Sequence, residues 1–238
     1  MAQETDKKIL VAAHQPLYLP WLGYFDKIQS VDIFCLVDTI TFETDSFQHK
    51  NRIRASQETS EEWLSVPVYS DEKTPTPLIK DVRIQNENPW RREHWEKMQS
   101  AYHSAPHFGE YMSFFKDTYL RDWDLLVNLN EHLIRGLAEF FGIKTRIVRS
   151  SALSVDWSRE NLHVGICRAL NARRYMSGAG GNCTYLDEIE LEKAGIEHIV
   201  QKFTHPIYPQ FHGGFVPRLA AVDLLFNCGV RAGSYIRV

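Results

Sequence analysis

The polar residues best suited to chemistry in this sequence each stand just after a short apolar run. His14 and Gln15 follow Ile9 to Ala13, and Asp38 closes the run that begins at Asp32. Ser150 and Ser151 follow Lys144 to Arg149, Ser177 follows Arg174 to Met176, and His205 follows His198 to Phe203. Imidazole and carboxylate groups can move a proton or orient a ligand, so His14, Asp38 and His205 are the candidate catalytic residues. Gln15, Ser150 and Ser177 would bind substrate through hydrogen bonds, with Tyr18 as a further contact. Packing between helix and sheet would account for the Tyr18 ring equally well. If each apolar run is a strand of one parallel sheet, these side chains converge at its carboxyl edge, where open α/β sheets place ligands.

Two further stretches suit an anion. In Ser177-Gly178-Ala179-Gly180-Gly181-Asn182 the residues Gly178, Gly180 and Gly181 permit positive φ and close backbone approach. A helix after them would aim N–H groups at a phosphate or carboxylate. The spacing is neither a Walker loop nor a dinucleotide fingerprint, so it specifies no cofactor, and a tight strand-to-helix turn with no ligand explains it too. The second stretch, His49-Lys50-Asn51-Arg52-Ile53-Arg54, gathers cations and amides. Arg52 could grip an anion through two parallel hydrogen bonds and Asn51 could add another, against the plainer reading of a solvated basic loop. Cys183, at a helix start beside glycines, could be acidified and pass an acyl group through a thioester with His14 or His205 as base. His14, His205 and His212, with Asp38, could meet around a metal only through folding. The sequence has no HxH or HxxxH grouping, and no metal is expected.

Positioning these residues requires a particular succession of elements. Pro16 disfavours helix at Gln15 and Pro20 suits a first helical turn, which predicts a helix from Trp21 to Gln29. Strands are expected near Trp63–Val68 and Ile79–Ile84, joined by a loop from Ser70 to Pro77, as an antiparallel extension of the main sheet. Pro89 opens a helix carrying Trp90, His94, Met98 and Tyr102, and a second is expected from Phe108 to Tyr119. Leu126, Leu129, Leu133, Leu137 and Phe140 form the stripe of a third, closed by Gly142. Helices at Glu160–Leu170, Tyr185–Ala194 (closed by Gly195) and Arg218–Asn227 then alternate with short strands. The pattern predicts an α/β fold: a mainly parallel sheet with helices on both faces, in one domain over residues 1–238. Residues 86–142 would be an inserted or appended helical bundle. The long connection from Thr204 to Pro217, rich in Pro, Gly and aromatic residues, is expected to cover the pocket.

Composition narrows the function classes. With 238 residues and 44% hydrophobic content the chain can bury a substantial core. A net charge of −3 gives no electrostatic footprint of a dedicated nucleic-acid binder. No apolar run approaches the roughly 18 residues of a membrane span, and Met1 to Lys8 lacks the apolar core of a signal peptide. Cys35, Cys167, Cys183 and Cys228 form no CxxC pair, so free thiols in a reducing cytoplasm are expected.

The opening His14-Gln15-Pro16-x-Tyr18-Leu19-Pro20-Trp21-x-Gly23-Tyr24-Phe25-x-Lys27-Ile28 resembles the signature of the WbqC-like family. Asn51-Arg52-Ile53, Trp63-Leu64-Ser65-Val66-Pro67, Tyr175-Met176-Ser177-Gly178, Tyr185-Leu186-Asp187 and Asp223-Leu224-Leu225-Phe226-Asn227 match in the same order. The resemblance implies a place among bacterial surface-polysaccharide proteins and a part in O-antigen synthesis, with glycine transfer as the proposed activity. It supports Asn51 and Arg52 as functional, whereas the family pattern holds no fixed cysteine at Cys183 and its last-motif serine is Ala220 here. The expected function is therefore transfer of a small acyl or aminoacyl group to a sugar or nucleotide-linked sugar. The donor stays open among an ATP-derived adenylate, a thioester and an aminoacyl-tRNA. The alternative is a non-catalytic sugar- or nucleotide-binding partner of a polysaccharide enzyme complex.

Overall fold

A computed structural model describes residues 8–55, 61–69, 76–178, 188–211 and 213–236. The apolar runs form five parallel strands: β1 (Leu10–His14), β2 (Ile33–Leu36), β5 (Arg146–Arg149), β6 (Arg174–Ser177) and β7 (Glu197–Val200). Their order across the sheet is β5-β2-β1-β6-β7. Successive strand residues point to opposite faces, and the two faces bury different cores. Leu10, Ala12, Phe34 and Leu36 pack on one side, and Val11, Ala13, Ile33, Cys35 and Tyr175 on the other. Both faces are covered, which is why the central strands read as continuous apolar runs instead of alternating ones.

The first core receives α1 (Leu22–Gln29), α2 (Trp90–Tyr102), α3 (Phe108–Leu120), α4 (Leu126–Phe140), α7 (Val222–Cys228) and α8 (Ala232–Ile236). The second receives α5 (Leu162–Ala169) and α6 (Glu188–Lys193). Helix ends follow their sequence signals. Gly142 at φ 70° and Gly195 at φ 68° close α4 and α6. In both, the glycine N–H and the next N–H return to carbonyls of the last turn, Glu139 and Ala138 for α4 and Glu192 and Leu191 for α6. Asn161 caps α5 by accepting from the N–H groups of His163 and Val164 at 3.1 and 3.2 Å.

A separate antiparallel pair joins β3 (Lys50–Arg54) to β4 (Glu61–Ser65), with Asn51 opposite Leu64 and Arg52 opposite Trp63. The antiparallel pair stands apart from the main sheet, and of the strand expected at Ile79–Ile84 only its end forms isolated bridges. Ile79–Asp81 is a 3-10 turn, because the N–H groups of Ile79 and Lys80 are taken by the carbonyls of Ile40 and Asp38. Single bridges tie Ile84 to Val68 and Arg83 to Leu125. The expected helix start at Tyr185 lies outside the described residues, as does most of the Ser70–Pro77 loop.

Candidate functional site

The chain leaves β1 toward β2 and β5, then returns to β6 on the other side of β1. After β1 it enters α1 on one face, and after β6 it reaches α6 on the opposite face. The carboxyl ends of β1 and β6 are thus the topological switch point, where a parallel sheet opens a crevice. His14 ends β1 and Ser177 ends β6. Extending the register Ala12 to Met176 by two residues sets His14 opposite Gly178.

His14 is partly exposed, and its ring meets the edge of Tyr24 with centroids 5.0 Å apart. Its Nδ1 donates to the Gln15 carbonyl at 3.1 Å, which leaves Nε2 an acceptor. The imidazole pKa is pushed down to about 3, first by burial and then by the neighbouring Lys27 cation, against the opposing bond to Gln15. A ring neutral over this range orients a ligand better than it abstracts a proton. Gln15 in turn accepts the Tyr24 hydroxyl at its carbonyl, 3.0 Å away, and the Gln48 amide at its side chain, 2.9 Å away.

Lys27 lies at the same place and was not among the residues singled out from sequence. It sits on α1 with 4% of its surface exposed, and its Nζ donates to the Ala13 carbonyl at 2.9 Å. The ammonium also stands beside the end of β6: a Cβ built on Gly178 would lie 3.9 Å from Nζ. A lysine buried beneath a strand-end crevice is a charge suited to phosphate or carboxylate. Its signal in the sequence was its place among Tyr24, Phe25 and Ile28, on a helix with no obvious solvent face.

Ser177 is 5% exposed, and its Oγ lies 2.8 Å from His198 Nε2. His198 Nδ1 is 3.2 Å from Glu188 Oε1. Neither His198 nor Glu188 carried a motif that marked it in advance. Gly180, Gly181 and Cys183 lie outside the described residues, as do Asp187 and His212.

Asp38 and Ser150 do reach the sheet's carboxyl edge, and there they bind each other. Asp38 Oδ1 accepts Ser150 Oγ and the Ser151 N–H, both at 2.9 Å, and Oδ2 accepts Ser151 Oγ at 2.6 Å. Asp38 and Ser150 are both fully buried, so they clasp the ends of β2 and β5 and present little to a ligand.

Other sequence candidates are engaged elsewhere. Tyr18 is buried under the helices, its hydroxyl 2.8 Å from His94 Nδ1 and 2.6 Å from the Tyr119 hydroxyl. Asn51 donates to the carbonyls of Tyr18 and Leu19, which holds Leu19 at φ 43°. Arg52 pairs with Glu61 at 2.6 Å and donates to the Arg218 carbonyl at 3.3 Å. Arg54 is buried and grips the long connection through Gln210, Gly213 and Gly214. His205 accepts the Arg218 N–H on Nε2 and so donates from Nδ1 to the Pro206 carbonyl, which occupies both nitrogens. Among the described residues no group of three or more His, Cys, Asp or Glu gathers in a way that could hold a metal, and no helix is long and apolar enough to cross a membrane.

Near Gln15 the surface carries an aromatic platform. Phe47 and Trp63 stack with centroids 6.0 Å apart, 43% and 48% exposed, and the Arg52 guanidinium lies 5.6 Å over the Trp63 ring. Phe47 is tied to the first motif by its carbonyl, which accepts the Tyr18 N–H at 3.1 Å.

No solved structure matches the chain. The uncharacterised protein Rv1507c of Mycobacterium tuberculosis is 30% identical over 231 residues, covering 95% of this chain and 97% of the mycobacterial one. A family profile described as the WbqC-like protein family matches residues 15–235, so from Gln15 to Tyr235 the chain belongs to the WbqC-like protein family.

Proposed function

We propose that the protein is a cytoplasmic transferase that joins a small acyl or aminoacyl group, glycine in the simplest case, to a sugar or nucleotide-linked sugar of bacterial surface polysaccharide. The observation that carries this reading is the buried Lys27 ammonium between the ends of β1 and β6, beside Gly178 and the neutral His14 ring. Lys27 takes the phosphate of the nucleotide-linked sugar, and His14 Nε2 accepts a hydroxyl from it. The sugar ring lies toward the Phe47–Trp63 platform, whose faces suit the apolar side of a pyranose. Asp38, Ser150, Asn51 and His205 hold these parts in place.

Calorimetric titration of the full chain with nucleotide diphosphate sugars tests the binding half, and incubation with ATP, glycine and the same sugars tests the transfer. Tight binding that is lost in Lys27→Met, with a glycine-sized mass increase on the sugar, is the expected result. Binding unchanged in Lys27→Met would remove the assignment.

A second reading, a non-catalytic sugar- or nucleotide-binding partner of an enzyme complex, is favoured by a different observation. His14 is held neutral, and Asp38 and His205 already spend their polar atoms on the protein. Binding without any mass increase on the sugar, whichever acyl donor is supplied, would select this second reading.

A further inference from the structure

The series Ser177–His198–Glu188, a hydrogen bond followed by an ion-pair contact, has no part in the binding just described. Its members come from the end of β6, the body of β7 and the first residue of α6. Tyr175 pairs with His198 and Ser177 with Val200, so the Ser177 and His198 side chains share one face of the sheet and meet diagonally. His198 Nε2 lies 2.8 Å from the serine oxygen and Nδ1 lies 3.2 Å from the Glu188 carboxylate, so in the Nδ1–H tautomer Nε2 faces the serine as an acceptor. Those are the distances of a nucleophile and its base, with a carboxylate close enough to the base's second nitrogen to orient it. The order of folds matters little for such a constellation, because it is recognised by geometry. His198 and Glu188 also line a cleft of about 450 Å³ beside α6, so the base is not sealed in the core.

We propose that Ser177 is a nucleophile that carries the transferred acyl group as a serine ester, with His198 as its base and Glu188 orienting the imidazole. The idea rests on the transferase reading for its acyl substrate. The donor is an activated acyl group whose leaving group is a phosphate or a thiolate. Ser177 Oγ attacks the acyl carbonyl as its proton passes to His198 Nε2. The carbon–oxygen bond to serine forms, the bond to the phosphate or thiol breaks, and the leaving group departs with the proton from His198. The acceptor's hydroxyl or amine then attacks the ester, gives its proton to His198, and Ser177 Oγ recovers a proton as it leaves. The near-complete burial of Ser177 shields the ester from hydrolysis.

A fluorophosphonate probe on the full chain, read by intact and peptide mass spectrometry, tests the assignment without a sugar acceptor. One phosphonyl group on Ser177 is expected. Ser177→Ala should take none. His198→Gln, which keeps a hydrogen-bond partner for the serine and so its fold, should label about 100-fold more slowly. Absence of labelling in the wild type, or labelling that survives in either variant at the wild-type rate, overturns the triad and leaves Ser177–His198 a bond between strands. Nucleotide-sugar binding, measured on the same samples, separates the two ideas. Labelling without sugar binding would sink the transferase reading and leave the nucleophile, and binding without labelling would do the reverse.

Discussion

A lysine on a helix that buries every residue except Gln29 is costly unless its charge is needed. Lys27→Met removes the desolvation cost of the ammonium while leaving the Ala13 carbonyl short of a donor. The two effects oppose, and the fold should change stability by no more than about 1 kcal/mol. Affinity for an anionic ligand should fall about 10- to 100-fold, the loss of one charge-assisted hydrogen bond of roughly 1.5–3 kcal/mol. Calorimetry and urea unfolding on the same variant check both halves, and a stability loss of several kcal/mol with intact affinity would make Lys27 structural. His94 yields a second prediction at this scale. Burial first, then the Lys97 cation, push its pKa down to about 3, while a bond to the Ser65 carbonyl opposes them. Between about 3 and the ordinary 6.5 the unfolded chain holds a proton that the folded one lacks, so stability falls as pH drops through that window. His94 contributes at most about 1.4 kcal/mol per pH unit. His14 acts in the same direction, and the buried carboxyls of Asp223 and Asp26, whose pKa values burial raises, act in the other. His94→Gln keeps a partner for Tyr18, so its stability deficit against wild type should shrink by about 1–2 kcal/mol between pH 7 and pH 5. Parallel pH dependences of the two proteins would contradict the buried, neutral ring.

Elements were legible where one physical rule decided them. β1, α1 and β2 emerge because an apolar run, two prolines and a second apolar run admit few alternatives, and the glycine caps of α4 and α6 close where the sequence puts them. β3 gives no strand signal in the sequence, where it reads as an anion-holding basic stretch or a solvated loop, since its buried residues include Asn51 and Arg54, whose polar groups conceal the alternation of Lys50, Asn51, Arg52 and Ile53. Asn51 is buried because it fastens the Tyr18–Leu19 turn, and Arg54 because it fastens the long connection, and both ties join segments distant in sequence. The same holds for Asp38. Its place at a strand end was readable, but the Ser150 and Ser151 donors that consume both of its oxygens arrive from β5, across the sheet. Asp38→Ala should accordingly cost about 2–4 kcal/mol, because three buried or half-buried donors lose their acceptor. Thermal or urea unfolding measures it, and a variant as stable as wild type yet inactive would restore Asp38 to the chemistry.

On the scale of the whole molecule, strand order decides which of the readable residues can act together. The reversal between β1 and β6 sets His14 opposite Gly178, and it draws in Lys27 from α1. The long connection after β7 carries His205 away toward Arg218 and the β3–β4 pair, so that a strand-end histidine becomes a fastening. The crevice and the aromatic platform are separate parts linked through Gln15 and Gln48, which allows their contributions to be measured apart. A ligand that binds only the folded chain stabilises it by about 2.7 kcal/mol at 100 times its Kd. For a chain of 238 residues that is a rise in Tm of roughly 5–10 °C. If the phosphate sits at Lys27 and the sugar on the platform, Trp63→Ala should weaken a nucleotide-linked sugar about 3- to 10-fold while leaving the bare nucleotide unaffected. Lys27→Met should weaken both. Thermal shifts at matched ligand concentrations, run on wild type, each variant and the double variant, give the comparison. Equal losses for sugar-linked and bare nucleotide in Trp63→Ala would detach the platform from the acceptor and leave only the crevice as the binding site.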